Sequence, residues 1–378
     1  MVLTTVYYVL LSLHVLLFII MFIRVSKKPE HVQVREELPS LLVLVPVYNE
    51  EQHIYSVLQS IFCSDYPLQN FSVMVINDGS QDESLAEIHR FIEDNPKLPL
   101  QHLSFPENRG KRAALIEGIA QSTSELIVFI DSDTYPKPDA FRLLAEVCAA
   151  GNFAVCGEAL VENVDQNLLC RIQAHEYNLT YNLFKLFESS FGVVTCLPGC
   201  FSMYHTKSLQ ALIPIYSKER IFNFYGEDRF LTALSLKQST LLYLPQAQVT
   251  TRVPEHLGIY ARQRIRWFKD WLVNSVYLLP HMLRQNPILA MYYLIQFVMP
   301  IFQLVTPIFL VYWFWSGQFW VFGMTLLFVL SVHYFFLWKV SERFSTIPML
   351  FFGFSVLIYP VIFFRGLLSL RYNVWGTR

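Results

Sequence analysis

The sequence predicts an α/β domain with a doubly wound, mostly parallel sheet, inserted between transmembrane helices. Two observations support this fold class. The chain has 378 residues, of which 53% are hydrophobic and 16% aromatic, and that is more apolar than ordinary soluble domains are. Between Leu38 and about Glu255, however, short apolar runs alternate with amphipathic stretches, which is the pattern of strands and helices in α/β folds. The segment 38–256 is therefore predicted to be one domain.

Four apolar runs in this domain are predicted to be buried strands of a parallel sheet. They cover 41–47, 71–78, 100–105 and 125–133, and helical stretches at about 50–62, 83–93, 110–121 and 138–149 separate them. Because parallel α/β sheets bind ligands at the carboxyl ends of their strands, the polar residues that follow each run are the first candidates for a site.

The N-terminal segment 1–24 is predicted to be a transmembrane anchor. Val2 to Ile23 carries no charged residue and is long enough to cross about 30 Å of hydrocarbon as a helix. Arg24, Lys27 and Lys28 follow it. Basic residues favour the cytosolic side, so the N-terminus is expected outside and the following domain in the cytosol.

The C-terminal region 286–366 is predicted to hold two or three spans. Gln285 to Trp338 contains no Asp, Glu, Lys or Arg, which suffices for two spans joined by a turn at Ser316-Gly317-Gln318. A third apolar run, Thr346 to Phe364, would place the C-terminus outside, yet the arginines that follow it favour the inside. The number of spans and the side of the C-terminus therefore stay open.

Residues 257–285 join the domain to the C-terminal region and include the sequence RQRIRW. They are predicted to form amphipathic helices at the membrane interface, because Trp267, Phe268 and Trp271 offer an apolar face beside the arginines. The tail 367–378 ends in WGTR.

Composition and motif content exclude several function classes. The net charge of −1 argues against a strongly basic nucleic-acid binder. Neither GxGxxG nor GxxxxGK[ST] occurs, which disfavours a dinucleotide-dependent hydride enzyme and a P-loop ATPase. The six cysteines form no CxxC pair and are predicted to lie in the cytosol, where thiols stay reduced, so a zinc site is not indicated.

Carboxylates, rather than glycines, follow the predicted strands. Asp131 and Asp133 stand at the end of the fourth run, and two carboxylates in that spacing can share one hard cation, although a turn that caps the next helix is the alternative. Asp78 stands at the end of the second run within an Asp-Gly pair, which also forms ordinary turns. Tyr48 and Glu50 follow the first run.

Basic residues occur at two further positions. Lys111 and Arg112 stand at a predicted helix start, where they suit a phosphate or are simply solvated. The sequence RQRIRW is equally consistent with a helix lying on anionic lipid.

Taken together, the motifs resemble membrane-embedded, processive family 2 glycosyltransferases. That group includes chitin synthases, hyaluronan synthases, cellulose synthases and the nodulation chitooligosaccharide synthase. The motifs that carry the resemblance are VLVPVYNEE (43–51), NDGSQD (77–82), DSD (131–133), CLPGCFSMY (196–204), GEDRFLT (226–232), QRIRW (263–267) and WGTR (375–378).

The resemblance implies a GT-A fold that binds a UDP-sugar. Asp78 would contact uridine, Asp131 would lie near the nucleotide, and Asp133 would hold Mg2+ or Mn2+ on the diphosphate. Asn77 stands where many relatives have a second acid, which leaves the nucleotide contact at that position open.

The resemblance also implies roles for the acceptor side of the site. Asp228 matches the catalytic base, with Glu227 beside it. Gln263, Arg266 and Trp267 match a QxxRW motif in which the arginine supports the diphosphate and the tryptophan stacks on the acceptor sugar. Pro198, Gly199 and Cys200 correspond to a loop at the acceptor's end, and the remaining candidate substrate-binding residues are Tyr48, Glu50, Lys111, Arg229 and Arg264.

The chemistry fits these roles, because an acceptor hydroxyl needs a carboxylate to take its proton and the leaving diphosphate needs cations. GEDR is also compatible with an ordinary helix start. The motifs favour an inverting enzyme that polymerises N-acetylglucosamine from UDP-GlcNAc into a β-1,4-linked, chitin-like product extruded across the plasma membrane. A hyaluronan-type synthase that also uses UDP-GlcA, a non-processive transferase that loads a sugar onto a lipid carrier, and a non-enzymatic scaffold remain alternatives. The expected partners are the donor, the growing polysaccharide and the bilayer.

Overall fold

The computed structural model describes residues 2–25, 37–151, 153–218, 226–285, 287–323, 326–327 and 347–370. Within them the chain forms one eight-stranded sheet. Its strands are β1 (Leu41–Val47), β2 (Phe71–Asn77), β3 (Leu100–Ser104), β4 (Leu126–Ile130), β5 (Thr134–Pro136), β6 (Phe153–Val161), β7 (Phe201–His205) and β8 (Thr240–Thr251), in the order β3-β2-β1-β4-β7-β6-β8-β5.

The first half of the sheet confirms the prediction. β1 pairs in parallel with β2 and β4, and β2 pairs in parallel with β3. All seven residues of β1 are buried, which explains why this strand is apolar throughout rather than alternating. β3 was predicted to be buried, and that is wrong: it lies at the edge of the sheet and its residues are exposed or half-buried.

The second half is mixed, so the prediction of a mostly parallel sheet holds only for the first half. β7 is antiparallel to β4 and β6, β8 is parallel to β6, and β5 is antiparallel to β8. The chain enters β7 beside the carboxyl end of β4, with Phe201 opposite Ile130. The reversed strand therefore brings the loop before Phe201 to the edge of the sheet where ligands bind in α/β folds.

Besides a short 3-10 turn (Leu68–Asn70), nine described helices belong to this domain or connect its strands. They are α2 (Ile54–Phe62), α3 (Ser84–Asp94), α4 (Lys111–Gln121), α5 (Ala140–Ala149), α6 (Leu168–Leu179), a π-helical turn (Thr180–Lys185), α7 (Leu186–Ser189), α8 (Thr206–Lys218) and α9 (Glu227–Ser235). The first four confirm the predicted helical stretches to within a few residues at their ends.

Four longer helices are α1 (Val2–Val25), α10 (Leu257–Gln285), α11 (Pro287–Trp315) and α12 (Ile347–Leu368). The predicted interfacial segment is a single helix, α10, which packs against α11 and α12. The predicted turn follows α11, where Gly317 has a φ of +72°. Within the described segments, no helix reaches the combination of length and hydropathy that crossing a bilayer requires.

Three predicted features lie outside the described residues. They are the basic pair Lys27 and Lys28, the end of the second predicted C-terminal span from 328 onward with the basic residues after it, and the WGTR tail.

A buried carboxylate connects the long helices to the domain. Glu188 in α7 is 4% exposed and accepts hydrogen bonds from the backbone N–H and the hydroxyl of Thr195, each at 2.9 Å. It also accepts one from the hydroxyl of Tyr292 in α11 at 2.8 Å. Because an unsatisfied buried carboxylate would be costly, these bonds fix α11 against the segment that follows α7.

Candidate active site

Asp78, at the end of β2, braces the loop that leads into α4. Its side chain is 2% exposed, and its two carboxylate oxygens accept the backbone N–H groups of Arg109 and Gly110 at 2.7 and 2.8 Å. Burial raises the pKa of Asp78, while these two bonds oppose the rise. The carboxylate thereby fixes the position of Lys111, the first residue of α4.

The candidate residues after β1 differ in exposure. Tyr48 is 42% exposed beside Asp78, whose N–H donates to Val47 O at 2.8 Å. Glu50 is buried, and its N–H donates to Ser84 Oγ at 2.7 Å. Tyr48 thus presents its ring at the edge of the sheet, whereas the Glu50 backbone is part of the β1–α2 connection.

Lys111 joins the sheet to α9. Its ammonium group donates a short hydrogen bond to Asp131 and lies 3.8 Å from Glu227 Oε1. Burial alone would lower the pKa of Lys111, but the charges of Asp131 and Glu227 raise it. The lysine is therefore a cation that links the end of β4 to the start of α9.

Asp131 and Asp133 flank the turn from β4 to β5. Burial raises the pKa of Asp133, and the negative charge of Asp131 raises it further. A carboxylate whose ionisation is disfavoured by a neighbouring carboxylate suits a cation shared by the two, which removes the repulsion. Among the described residues, no group of three or more His, Cys, Asp or Glu side chains could hold a metal ion, so further ligands would have to come from substrate or water.

The loop 198–200, which precedes β7, lies between the lysine and the acids of α9. A Cβ atom on Gly199 would lie 2.9 Å from Lys111 Nζ and 3.7 Å from Asp228 Cβ, so a larger residue would press on the lysine. Two bonds hold the segment just before the loop: Lys185 donates to Cys196 O, and Leu197 N–H donates to Thr232 Oγ1 at 2.9 Å.

Glu227 and Asp228 form the first turn of α9. Asp228 Oδ1 accepts the N–H of Arg229 at 2.7 Å, and Asp228 Oδ2 lies 3.8 Å from the sulfur of Cys196, which donates to it. Burial raises the pKa of Glu227, while the charge of Lys111 opposes the rise. The two neighbouring acids are thus held differently, Glu227 by a cation and Asp228 by hydrogen bonds.

Asp270 in α10 belongs to this acidic group and was not among the predicted site residues. It is 5% exposed, its Oδ1 atom has no hydrogen-bond partner among the described residues, and a Cβ atom on Gly226 would lie 2.8 Å from its Cγ atom. Burial raises the pKa of Asp270 well above its usual value, and the charges of Asp228 and Glu227 raise it further. These surroundings favour the protonated form of Asp270.

Gly226 makes this close approach possible. It has a φ of +59°, in the left-handed region that favours glycine, and precedes the first turn of α9. A signal for Asp270 exists in the sequence, because it follows Arg266 by four residues on one helix face. That spacing normally indicates an exposed ion pair.

The arginines of RQRIRW divide into two groups. Arg264 is 5% exposed and makes a two-pronged contact with Glu176 in α6, with an Nη2–Oε2 distance of 2.8 Å and an Nε–Oε1 distance of 3.0 Å. Its guanidinium also lies over the ring of Trp267, 4.1 Å from the centroid. Gln263 Oε1 accepts from Arg264 Nη1 at 2.7 Å. Arg264 is thus a support for Trp267.

Arg266 instead acts on the acids. It is exposed, and its positive charge opposes the rise in the pKa of both Glu227 and Asp270. The charge of Arg229 lies close to Asp228 and Asp270. The structure therefore brings together Lys111, Asp131, Asp133, the 198–200 loop, Glu227, Asp228 and Arg266, and places Arg264 behind Trp267.

A proton acceptor that faces two cations, at the ligand-binding edge of a mixed α/β sheet, is suited to moving a sugar from a phosphorylated donor to a hydroxyl. This fold and site are compatible with the glycosyltransferase class of protein. The family described as chitin synthase matches residues 103–321, which is more than half of the chain. The chain belongs to this family and thus to the chitin synthase group of family 2 glycosyltransferases.

Individual relatives agree with this assignment. An N-acetylglucosaminyltransferase of Neorhizobium galegae is 33% identical over 261 residues, which cover 67% of this chain and 60% of that protein. Chitin synthase 6 of Mycosarcoma maydis is 31% identical over 222 residues, covering 52% of this chain and 18% of that protein. The chain thus spans about 60% of the length of the first of these relatives.

Among solved structures, the mannosyltransferase PcManGT of Pyrobaculum calidifontis, in complex with GDP-Man and Mn2+, is similar with a TM-score of 0.69 and 19% identity. The match covers 98% of this chain and 99% of that one. At this identity the likeness establishes a shared GT-A-like fold.

The Arg264–Glu176 pair leads to a prediction about stability. Arg264→Ala leaves the Glu176 carboxylate buried without its cation, and such a loss costs about 3–5 kcal/mol. Arg262→Ala, two residues away on an exposed side chain, should change stability by less than about 0.5 kcal/mol. The thermal unfolding midpoint of the two purified variants measures the difference. Equal midpoints would show that the buried pair contributes nothing.

Proposed function

We propose that this chain transfers N-acetylglucosamine from UDP-GlcNAc, with inversion, to the end of a growing β-1,4-linked, chitin-like polysaccharide. The observation that carries the proposal is that the Lys111 ammonium group contacts both Asp131 and Glu227. A cation that can bind phosphate therefore lies next to the acids of α9. The names of the relatives, N-acetylglucosaminyltransferase and chitin synthase, favour this sugar and this polymer.

Asp228 is the base in this proposal. It takes the proton from the acceptor hydroxyl, which is otherwise a poor nucleophile. The Arg229 N–H and the Cys196 thiol hold its two oxygens. Burial raises the pKa of Cys196 to about 12, so the thiol keeps its proton and remains a donor. The hydroxyl oxygen then attacks the anomeric carbon while the bond to UDP breaks, and a single displacement of this kind inverts the configuration.

Lys111 and Arg266 serve the leaving diphosphate. Negative charge develops there as the sugar departs, and cations that are already in place stabilise that charge without reorganisation. A divalent cation, Mg2+ or Mn2+, held by Asp131 and Asp133 would supply further positive charge to the diphosphate. The paired carboxylates fit such an ion, because the buried Asp133 otherwise bears the repulsion of Asp131.

Nucleoside and acceptor bind on opposite sides of this centre. Tyr48 and Asp78 lie at the carboxyl ends of β1 and β2 and contact the uridine. Trp267 stacks on the acceptor sugar. The guanidinium group of Arg264 packs on the Trp267 ring, and the ring centroids of Tyr177 and Trp267 are 6.5 Å apart. The loop 198–200, between Lys111 and Asp228, contacts the end of the acceptor.

The proposal also includes a location in the plasma membrane, with the catalytic domain on the cytosolic side and extrusion of the product through the bilayer. Two features support this part of the proposal. The sequence around α1 and α11 is free of acidic residues over long stretches, and α11 and α12 expose large apolar side chains, among them Ile308, Trp315 and Leu357. Apolar surface of this kind is stable in contact with lipid.

The activity is tested with membranes that contain the protein, Mg2+ or Mn2+, and UDP-GlcNAc as the sole donor. Release of UDP together with a chitinase-sensitive polymer is the expected result. Turnover only after addition of UDP-GlcA would instead indicate a hyaluronan-type synthase. A single sugar on a lipid carrier, with no polymer, would contradict processive synthesis.

The role of Asp228 is tested by Asp228→Asn. This nearly isosteric change removes the proton acceptor and should reduce UDP release roughly a hundred- to ten-thousand-fold, with unchanged protein level and membrane insertion. Asp165→Asn is the matched control, because the Asp165 side chain is 89% exposed, and it should retain normal turnover. An active Asp228→Asn protein would exclude Asp228 as the base.

The raised pKa of Asp270 gives a further prediction. Because burial and the neighbouring acids favour its protonated, uncharged form, Asp270→Asn matches that form in size and charge, and UDP release should stay within about threefold of the parent, as expected for a change that removes no ion pair. A loss as large as that of Asp228→Asn would show that Asp270 functions as a carboxylate.

Membrane integration is tested by extraction of isolated membranes with alkaline carbonate. The protein should stay in the pellet and be released only by detergent, because integral helices are held by apolar contact with lipid and not by surface charge. Release by carbonate alone would contradict the assignment of spans and, with it, extrusion by this chain.

A further inference from the structure

Two exposed histidines meet at the edge of the sheet, next to a groove. His89 projects from α3 and His102 from the edge strand β3, and their Nε2 atoms are 3.1 Å apart. The ring centroids are separated by 4.8 Å and the ring planes by 74°. The groove beside them has a volume of about 520 Å³ and is also lined by Glu93. None of these residues belongs to the site around Lys111 and Asp228.

The separation of the two nitrogens suits a shared metal ion. With metal–nitrogen bonds of about 2.0–2.1 Å, nitrogens 3.1 Å apart enclose about 100° at the metal. That angle lies between 90°, the angle in square-planar and octahedral sites, and the tetrahedral angle. Cu2+, Ni2+ and Zn2+ adopt these coordination geometries with imidazole ligands.

The hydrogen bond between the two imidazole rings also suits a metal site. Without one, a single proton lies between the two rings, as one Nε2–H donates to the other Nε2. A metal ion can replace the proton between the rings, and that proton moves through water to Nδ1 of the same imidazole.

We propose that His89 and His102 form a binding site for a divalent transition metal ion of the Cu2+, Ni2+ or Zn2+ class. The protein supplies two nitrogen ligands, and the open groove leaves room for water at the other positions. Glu93 follows His89 by four residues on the same face of α3 and can accept a hydrogen bond from such a water. The ion would cross-link α3 to β3, whose chain continues into the loop that Asp78 braces.

This site is distinct in its chemistry from the paired carboxylates of Asp131 and Asp133. Oxygen ligands suit Mg2+ and Mn2+, whereas imidazoles follow the affinity order Mn2+ < Ni2+ < Cu2+ > Zn2+. Excess Mg2+ therefore occupies the carboxylates without filling the histidine site, and the two sites can be measured separately.

The experiment uses the purified full chain in detergent, without an affinity tag, in a Cys63→Ser background, because Cys63 is an exposed thiol that competes for metal. Binding of Cu2+, Ni2+ and Zn2+ is measured by competition with a chromogenic chelator in excess Mg2+. His89→Gln and His102→Gln each remove one ligand, while glutamine can still bond the remaining ring. His256→Gln, which alters another exposed histidine, is the matched control.

One equivalent of Cu2+ should bind to the parent and to His256→Gln. Removal of a group that only hydrogen-bonds to a metal ligand already lowers metal affinity about tenfold or more. Each variant that removes a ligand itself should therefore lose at least about tenfold in Cu2+ affinity. Electron paramagnetic resonance of the Cu2+ protein should show two nitrogen ligands in the parent and one in each variant. Equal affinity in all four proteins, or a spectrum without nitrogen coupling, would overturn the proposal. Both readouts are independent of glycosyltransferase activity.

Discussion

The contact of the Lys111 ammonium group with Asp131 and Glu227 is the interaction on which the rest of the site depends. Each of the three residues comes from a different part of the fold: the start of α4, the end of β4 and the start of α9. Burial of three charged groups is costly unless each has a partner. The lysine provides that partner for both acids, and the loop at Gly199 packs directly against it. The donor side and the acceptor side of the site are therefore connected through the Lys111 ammonium group.

Much of the fold could be predicted, because the first half of the sheet obeys the simplest rules. β1 and β4 are buried along their whole length and are apolar throughout, and β2 departs from this only at Ser72 and Asn77. The helices between these strands have amphipathic sequences. β3 was misjudged as buried, because an edge strand of five residues with two leucines does not reveal its position from sequence. The strands from β5 onward were not predicted. β8, for example, mixes exposed and buried residues, with a proline and two glutamines, and a continuous apolar run is absent.

The candidate site was predictable in its acids and less so in its contacts. Asp131 and Asp133 were recognised because two carboxylates end a predicted strand in a spacing that suits a shared cation, and Asp228 was recognised because GEDRFLT resembles a family motif. The different environments of Arg264 and Arg266 could not be predicted from sequence. The two residues are two positions apart on one helix, and only the packing of α6 against α10 buries Arg264 against Glu176 and leaves Arg266 exposed toward the acids. Asp270 was not predicted because its environment depends on Gly226 and the acids of α9, which are more than forty residues away in sequence.

The buried carboxylate of Glu188 has a mechanical consequence. One side chain is shared by Tyr292 of α11 and by Thr195, which immediately precedes the segment 196–200 beside Asp228. A slide of α11 along its axis must therefore either break a buried hydrogen bond or pull on the segment that carries Cys196. If α11 lies in lipid as proposed, the thickness and lateral tension of the bilayer act on the geometry around the catalytic base, and the turnover rate becomes a property of the membrane as well as of the enzyme.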